Sequence, residues 1–232
     1  MLFMNMKTNK LLIGLFLLGS LLSTQSCLNK QDDTDYGILY PNAVVTLKPD
    51  ADGLILQLDD ETALFPVNLQ NSSYTKELRA FINFKDAKPE EKVSRTLRNV
   101  HVNWVDTIRT KGMAANLMDE NVAVYGNDPF EIVADWTTVC EDDYLTLRIR
   151  TYFSGWGEPH VMNLVKNDGP YDVTLYHDAK GDTNIHGRLS DGHIAFRLDA
   201  LPDTRGDIVD LKVNWTSFSG PKSAIFKYRS RK

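Results

Sequence analysis

Cysteine is nearly absent from this chain, and so is any long apolar run. Only Cys27 and Cys140 occur in 232 residues, and two isolated cysteines without a CxxC pair cannot build a zinc-ribbon site. The longest apolar stretch, residues 11–22, falls short of the ~20 residues that a membrane-crossing helix needs. A basic excess is also missing: Lys and Arg number 26 against 31 Asp and Glu, for a formal charge of −5. That balance argues against general nucleic-acid binding, which relies on a basic surface. It argues equally against a basic patch for lipid headgroups. HExxH, GxSxG, the P-loop and GxGxxG are all absent, which removes the local signatures of zinc proteases, serine hydrolases and nucleotide binders. No long segment has helical periodicity, which leaves little room for a helical body.

What is present begins at the N-terminus. Lys7 and Lys10 precede the apolar run with no acidic residue among them, and Ser23, Thr24, Gln25, Ser26 and Cys27 follow it. A positive start, a short apolar stretch and a small residue before the cut are the layout of a cleaved secretory signal, here residues 1–26. Ser26 before Cys27, with Leu21 and Leu22 upstream, resembles a bacterial lipobox, in which the cysteine is acylated and becomes the new N-terminus. Gln25 departs from that pattern by standing where a small residue is usual. An ordinary cleaved signal with an incidental cysteine is the competing reading. Each buried acyl CH₂ contributes ~0.8 kcal/mol, so several chains anchor firmly where one does not. Removing the signal leaves 24 basic against 31 acidic residues, a formal charge near −7. With Cys27 acylated, Cys140 has no partner, and it is expected as a small buried hydrophobe.

Residues 27–38 are polar and carry Asp32, Asp33 and Asp35; they read as an acidic tether that cannot bury enough surface to order itself. Acidic residues shortly after a lipid cysteine resemble a signal for display on the outer surface of Bacteroides-like cells. Beyond the tether, period-two alternation recurs. Leu54, Leu56 and Leu58 share a face, as do Ala80, Ile82 and Phe84, and Val100, Val102 and Trp104. Leu145, Leu147 and Ile149 alternate with Thr146, Arg148 and Arg150, and the same holds around Ile194, Phe196 and Leu198 and from Val209 to Trp215. Each run is a half-buried strand with one wet face. Residues 190–193, Ser-Asp-Gly-His, predict a tight hairpin. Short helical turns are expected within 86–95 and 113–118.

The punctuation at Gly126, Asn127, Asp128 and Pro129 places a boundary there. Residues 39–126 hold five or so strands, which suits an OB-like β-barrel. Residues 127–232 predict seven, at 132–139, 144–153, 160–165, 171–177, 185–189 continuing as 194–198, 208–215 and 224–228, which suits an Ig-like β-sandwich. The fold class is therefore all-β. The order of lipobox, acidic tether, small barrel and sandwich resembles the NigD-like lipoproteins of Bacteroides and relatives. The segment 207–215 with 220–222 and 226–228, and the strand 100–105, carry that likeness. It implies an outer-membrane lipoprotein, periplasmic or surface-exposed, with an OB-like first domain. It supplies no catalytic residue and no cofactor. The family takes its name from a proposed bacteriocin-immunity protein.

Two segments hold candidate chemistry. Trp156 lies between Gly155 and Gly157, ahead of Glu158 and His160; an aromatic on such a loop offers a platform for a sugar ring or a partner protein, or folds back to cover the end of the sandwich. Glu158 and His160 could act as an acid/base pair, but no nucleophile accompanies them. His177, Asp178, Asp182 and His186 place imidazole and carboxylate ligands close together without any recognised metal spacing; a polar hairpin is the plainer reading. The basic end made by Lys227, Arg229, Arg231 and Lys232 reads as a solvated, frayed tail. The expectation for function is an anchored, non-enzymatic module that binds a protein or a glycan. Bacteriocin immunity and a hydrolase with a scattered site are the alternatives.

Overall fold

The computed structural model describes residues 36–50, 53–94, 96–155, 157–184 and 186–231. The signal, Cys27 and almost all of the tether lie outside the described residues. Among the described residues, fourteen strands follow a short 3-10 turn at Tyr36–Leu39. Among the described residues no helix is long and apolar enough to cross a membrane.

The first five strands are β1 (Ala43–Asp50), β2 (Gly53–Gln57), β3 (Ala63–Pro66), β4 (Leu78–Asp86) and β5 (Arg98–Thr107). They close into a barrel in the order β1-β2-β3-β5-β4. Closure removes the free edges that an open five-stranded sheet would expose. The interior is filled by the expected alternating side chains, among them Leu47, Leu54, Leu56, Leu64, Ile82, Val100 and Val102. One expected face is broken. Opposite β4 the register of β5 shifts, with Asn83 facing Trp104 and Phe84 facing Val102. Asn103 is therefore the extra residue of a β-bulge, which flips the faces beyond it. Val105, not Trp104, packs against the barrel core. Trp104 turns outward to join Val44, Phe81, Ile108, Tyr144 and Ala195. That outward cluster lies between barrel and sandwich.

The sandwich has two sheets. One contains β6 (Arg109–Lys111), β12 (Arg188–Arg197), β9 (Tyr144–Phe153) and β7 (Glu131–Ile132) in that order, with β8 (Val139–Glu141) also paired to β9. The other runs β10 (Val161–Lys166), β11 (Asp172–Asp178), β13 (Val209–Ser217) and β14 (Gly220–Tyr228), with β11 and β13 parallel. The core between them includes Phe130, Leu145, Leu147, Leu164, Leu175, Phe196, Leu211 and Val213. Residues 109–111, expected in the first domain, pair with β12 of the second, and Ala114 bridges to Val165. The expected strand at 132–139 is split into β7 and β8 by a turn. The helical turn expected within 113–118 lies later, at Met118–Glu120 and Asn121–Tyr125.

The hairpin expected at 190–193 does not form. Residues 188–197 run as one strand, each paired with β9. The reason is electrostatic: the Asp191 carboxylate accepts from Arg148 and from Arg150 Nε (2.6 Å), both on the facing strand. These cross-strand bonds hold the Asp-Gly pair extended. The tight turn instead falls at Asp142–Asp143, between β8 and β9, where both residues have positive φ, 51° and 62°. Non-glycine residues seldom adopt that conformation, and aspartate tolerates it better than most.

The carboxylates of that turn tie the domains together. Asp142 accepts from Lys48 Nζ of the barrel at 2.7 Å and from Arg231 Nε at 2.9 Å. Arg231 Nη1 also lies 2.7 Å from Glu77, and Arg229 Nη2 donates to Glu61 at 3.0 Å. Arg229 and Arg231 thus clamp the C-terminal end to the barrel instead of fraying, while Lys227 pairs with Asp210 of the sandwich and Lys232 lies outside the described residues. Deeper in the junction, Arg79 has no solvent exposure. Its Nη1 donates to Thr46 at 3.0 Å, its Nε donates to Thr146 at 3.2 Å, and its guanidinium lies over the Tyr144 ring at 5.8 Å. Burial lowers the proton affinity of this guanidinium, and Glu141 and Asp142 offset part of that effect. Cys140 packs against the sandwich core; burial, then the negative charge of Asp60, holds its thiol far above the usual range, so it is an inert filler rather than a nucleophile. Truncating Arg79 leaves a cavity, two unpaired hydroxyls and an uncompensated Glu141. Arg79→Ala is therefore expected to lower the unfolding free energy by about 3 kcal/mol or more in urea titrations; a loss under about 1 kcal/mol would contradict this role for Arg79.

Candidate functional site

The sandwich core continues toward one end as an open cleft of ≈ 240 Å³. Strand parity explains it. On β9 the inward series Leu145, Leu147, Ile149 ends in Thr151 and Phe153; on β12 the inward series Phe196, Ile194 ends in Gly192 and Ser190. Thr151, Gly192 and Ser190 are small where the core would otherwise extend. A Cβ added at Gly192 would meet nothing within 4 Å, so the space above it is empty. From the other sheet come Met162 of β10 and His177 of β11, with His160 just ahead of β10. The result is an apolar floor whose lining includes the His193 imidazole on the β12 side and, on this side, the paired imidazoles of His160 and His177.

That pair forms a chain. His177 Nδ1 lies 3.2 Å from the carbonyl of Asp128, and His177 Nε2 lies 3.0 Å from His160 Nδ1. A carbonyl only accepts, so His177 carries its proton on Nδ1, and its Nε2 accepts from His160. His160 Nε2 then faces Asp182 at 3.5 Å, too long for a strong hydrogen bond. Asp182 Oδ2 accepts from the backbone N–H of Ser154 at 2.8 Å and from its hydroxyl at 2.9 Å. These bonds, the backbone N–H first, lower the Asp182 pKa. Burial, then the neighbouring His160, lowers the pKa of His177.

Gly126 permits this arrangement. Its φ is +79°, and a Cβ there would fall 2.5 Å from the His177 carbonyl oxygen. Without one, residues 127–128 lie close against β11: the Asp128 N–H donates to the His177 carbonyl at 2.9 Å, and Asp128 Oδ2 accepts from the Ala179 N–H at 2.8 Å. The punctuation that read as a domain boundary is a brace for the histidine.

The two candidate segments thus meet: Ser154 bonds Asp182, and His160 bonds His177. Glu158 is exposed and does not line the cleft with His160. Asp178 pairs with Lys180 at 2.7 Å, and His186 is exposed and not part of the cleft wall. Trp156 lies outside the described residues. Among the described residues no three His, Cys, Asp or Glu side chains converge as a metal ion would require. Two nearby hydroxyls are committed: Ser154 donates to Asp182, and Thr137 donates to Asp135 at 2.6 Å while its oxygen lies 3.1 Å from His193 Nε2. Neither gives its proton to an imidazole, as a nucleophile would. Phe153, exposed at 41%, lines the cleft; it also shares a neighbouring recess with Leu189, exposed at 47%, and the Phe218 ring, exposed at 41%, packs edge-on to Tyr152 at 5.2 Å. The sequence missed the roles of Gly126, Asp128 and Gly192. Strand parity beyond Ile149 and Ile194 was the available signal for the last.

Comparison with known proteins fits this architecture. Residues 44–108 match the NigD-like N-terminal OB domain, and residues 114–228 match the NigD-like C-terminal beta sandwich domain. The chain belongs to the NigD-like family. A structure from Parabacteroides distasonis described as toxin-related is similar at 31% identity and TM-score 0.68, over 81% of this chain and 92% of that one. A protein of unknown function from Bacteroides vulgatus is similar at 24% identity and TM-score 0.63, over 80% and 89% of the two chains. A NigD-like immunity protein from Bacteroides caccae shares the fold at 18% identity and TM-score 0.57, over 81% and 96%. No curated protein matches the chain.

Buried His177 makes stability depend on pH. An unfolded imidazole takes up a proton near pH 6.5, whereas His177 in the folded chain resists it to lower pH. The unfolded state therefore binds more protons below that value, and stability falls with pH from about 7 to about 5. The melting temperature of His177→Gln is expected to fall less steeply than wild type across that range; parallel slopes would contradict the assignment.

Proposed function

We propose that this protein is an envelope lipoprotein, acylated at Cys27, that binds a protein partner at the open end of its sandwich and catalyses no reaction. The observation that carries the reading is the exposed apolar set Phe153, Leu189 and Phe218 at this end of the sandwich, of which Phe153 lines the cleft and Leu189 shares a neighbouring recess with it. A soluble domain seldom leaves large apolar side chains clustered at the rim of a cavity unless something covers them. Partner binding by a protein suits that rim better than a glycan, whose hydroxyls call for more polar groups. The committed hydroxyls of Ser154 and Thr137 support the non-catalytic half of the proposal. The signal layout and the lipobox likeness support the anchor, and the acidic tether at Asp32, Asp33 and Asp35 supports outer-surface display.

A second reading makes the partner an exported toxin. Its support is the description of two similar structures as toxin-related and as an immunity protein. Unchanged toxin sensitivity after deletion of the gene would remove that reading and leave the first intact.

Two measurements bear on the proposal. Cys27→Ser is expected to move the protein from the membrane pellet to the soluble fraction and to abolish acyl labelling; a variant that still pellets and labels would contradict the anchor. A photo-crosslinker at Phe153 in intact cells is expected to trap one discrete protein adduct that Leu189→Asp removes, while a crosslinker at Lys212 traps none. Equal trapping at both positions, or none at Phe153, would contradict binding at the mouth.

A further inference from the structure

A second surface has the wrong charge for this acidic body. Where β6 joins the barrel, a groove of ≈ 480 Å³ is lined by Lys76, Arg109, Lys111 and Arg197, with Glu77 its single carboxylate. Glu77 is already engaged, accepting from the Tyr144 hydroxyl at 2.7 Å and pairing with Arg231 at 2.7 Å. Lys111 donates to the Met162 carbonyl at 2.6 Å and to Asn163 Oδ1 at 2.9 Å, both uncharged acceptors. Arg197 faces Asp199 only at 3.5 Å, with both side chains largely exposed. Lys76 and Arg109 are exposed and form no ion pair among the described residues. Five cations outside the groove are closely paired: Lys48, Arg148, Arg150, Arg229 and Arg231 each reach a carboxylate within 3.0 Å. Uncompensated like charges gathered in one groove repel one another, so their grouping is unfavourable until an anion joins them.

From this we infer that the groove binds an acidic, extended segment of the partner protein. The inference rests on the partner-binding reading and names the chemistry of one part of that contact. Three features favour an extended peptide over a small anion. The cations come from three segments, Lys76 ahead of β4, Arg109 and Lys111 of β6, and Arg197 at the end of β12. Arg109 and Lys111 are alternate residues of β6, about 7 Å apart, the same repeat at which an extended chain presents carboxylates on one face. Thr110 between them turns its hydroxyl to the backbone N–H of Arg79 (3.2 Å) and the carbonyl of Ile108 (2.9 Å), away from that row. Arg109 also lines the sandwich cleft, so a partner seated at the mouth reaches the groove without leaving the surface.

The test uses the soluble mature chain and a fluorescein-labelled decapeptide of alternating Asp and Thr, with an alternating Asn-Thr decapeptide as control, in fluorescence anisotropy at about 10 mM salt, where the screening length is about 30 Å. The acidic peptide is expected to bind and the control not to. The double variant Lys76→Glu/Arg109→Glu is expected to weaken binding at least tenfold, while Lys212→Glu/Lys227→Glu leaves it within twofold. Circular dichroism and melting curves check that the variants fold. Equal loss in both double variants, or no loss in the first, would overturn the inference. So would an oligogalacturonate of equal charge that binds tenfold more tightly than the peptide, since the groove would then be a site for acidic glycan. Failure of peptide binding with the Phe153 adduct retained in cells would remove the groove and leave the partner reading standing.

Discussion

Asp142 and Asp143 sit in left-handed backbone at the tip of the β8–β9 hairpin, and the arrangement of both domains follows from how their carboxylates are satisfied. Asp142 is nearly inaccessible to solvent, and a buried charge without partners would be expensive. It takes Lys48 from the barrel and Arg231 from the C-terminus. Asp143 takes the Tyr228 hydroxyl at 2.8 Å and the Arg231 N–H at 3.2 Å. The turn therefore cannot form its bonds unless barrel, sandwich and C-terminal strand are all in place. Arg79 adds a second, deeper requirement, with one threonine from each domain. Around these polar groups, Val44, Phe81, Ile108, Tyr144 and Ala195 seal the junction. Polar pairing sets the geometry, and apolar burial supplies most of the favourable free energy.

A fixed junction has a consequence for the surface. The sandwich-end cleft and the basic groove share Arg109, so they keep a constant spacing only if barrel and sandwich do not hinge. The cleft itself is braced from behind: Asp128 holds His177, His177 holds His160, and Asp182 holds Ser154. A stiff scaffold suits recognition of a partner whose shape is already set, because little ordering entropy is lost on binding.

Much of the fold was legible in the sequence because its signal is local. Period-two alternation located most of the strands, the strand counts gave a barrel followed by a sandwich, and β9 was bounded at both ends. What failed was non-local. Ser190–His193 looks like a turn from its composition, but Arg148 and Arg150 on a distant strand hold Asp191 extended. Trp104 looks inward by alternation, but the bulge at Asn103 reverses it. Arg229 and Arg231 look solvated, because nothing nearby in sequence reveals the carboxylates they meet. The same limit applied to the site. His160, His177 and Asp182 were individually recognisable as chemistry-bearing residues, yet their joining into one chain depends on β10 and β11 pairing and on Gly126 admitting Asp128. The basic groove was invisible for that reason too, since Lys76, Arg109 and Arg197 come from well-separated segments.

The central claim is that the two domains form one mechanical unit through the Asp142–Asp143 turn and Arg79. Differential scanning calorimetry of the soluble mature chain tests it most directly. A single transition, with calorimetric and van't Hoff enthalpies equal, is the expected result. Two resolved transitions, or a calorimetric enthalpy well above the van't Hoff value, would mean that barrel and sandwich melt independently, and would contradict it.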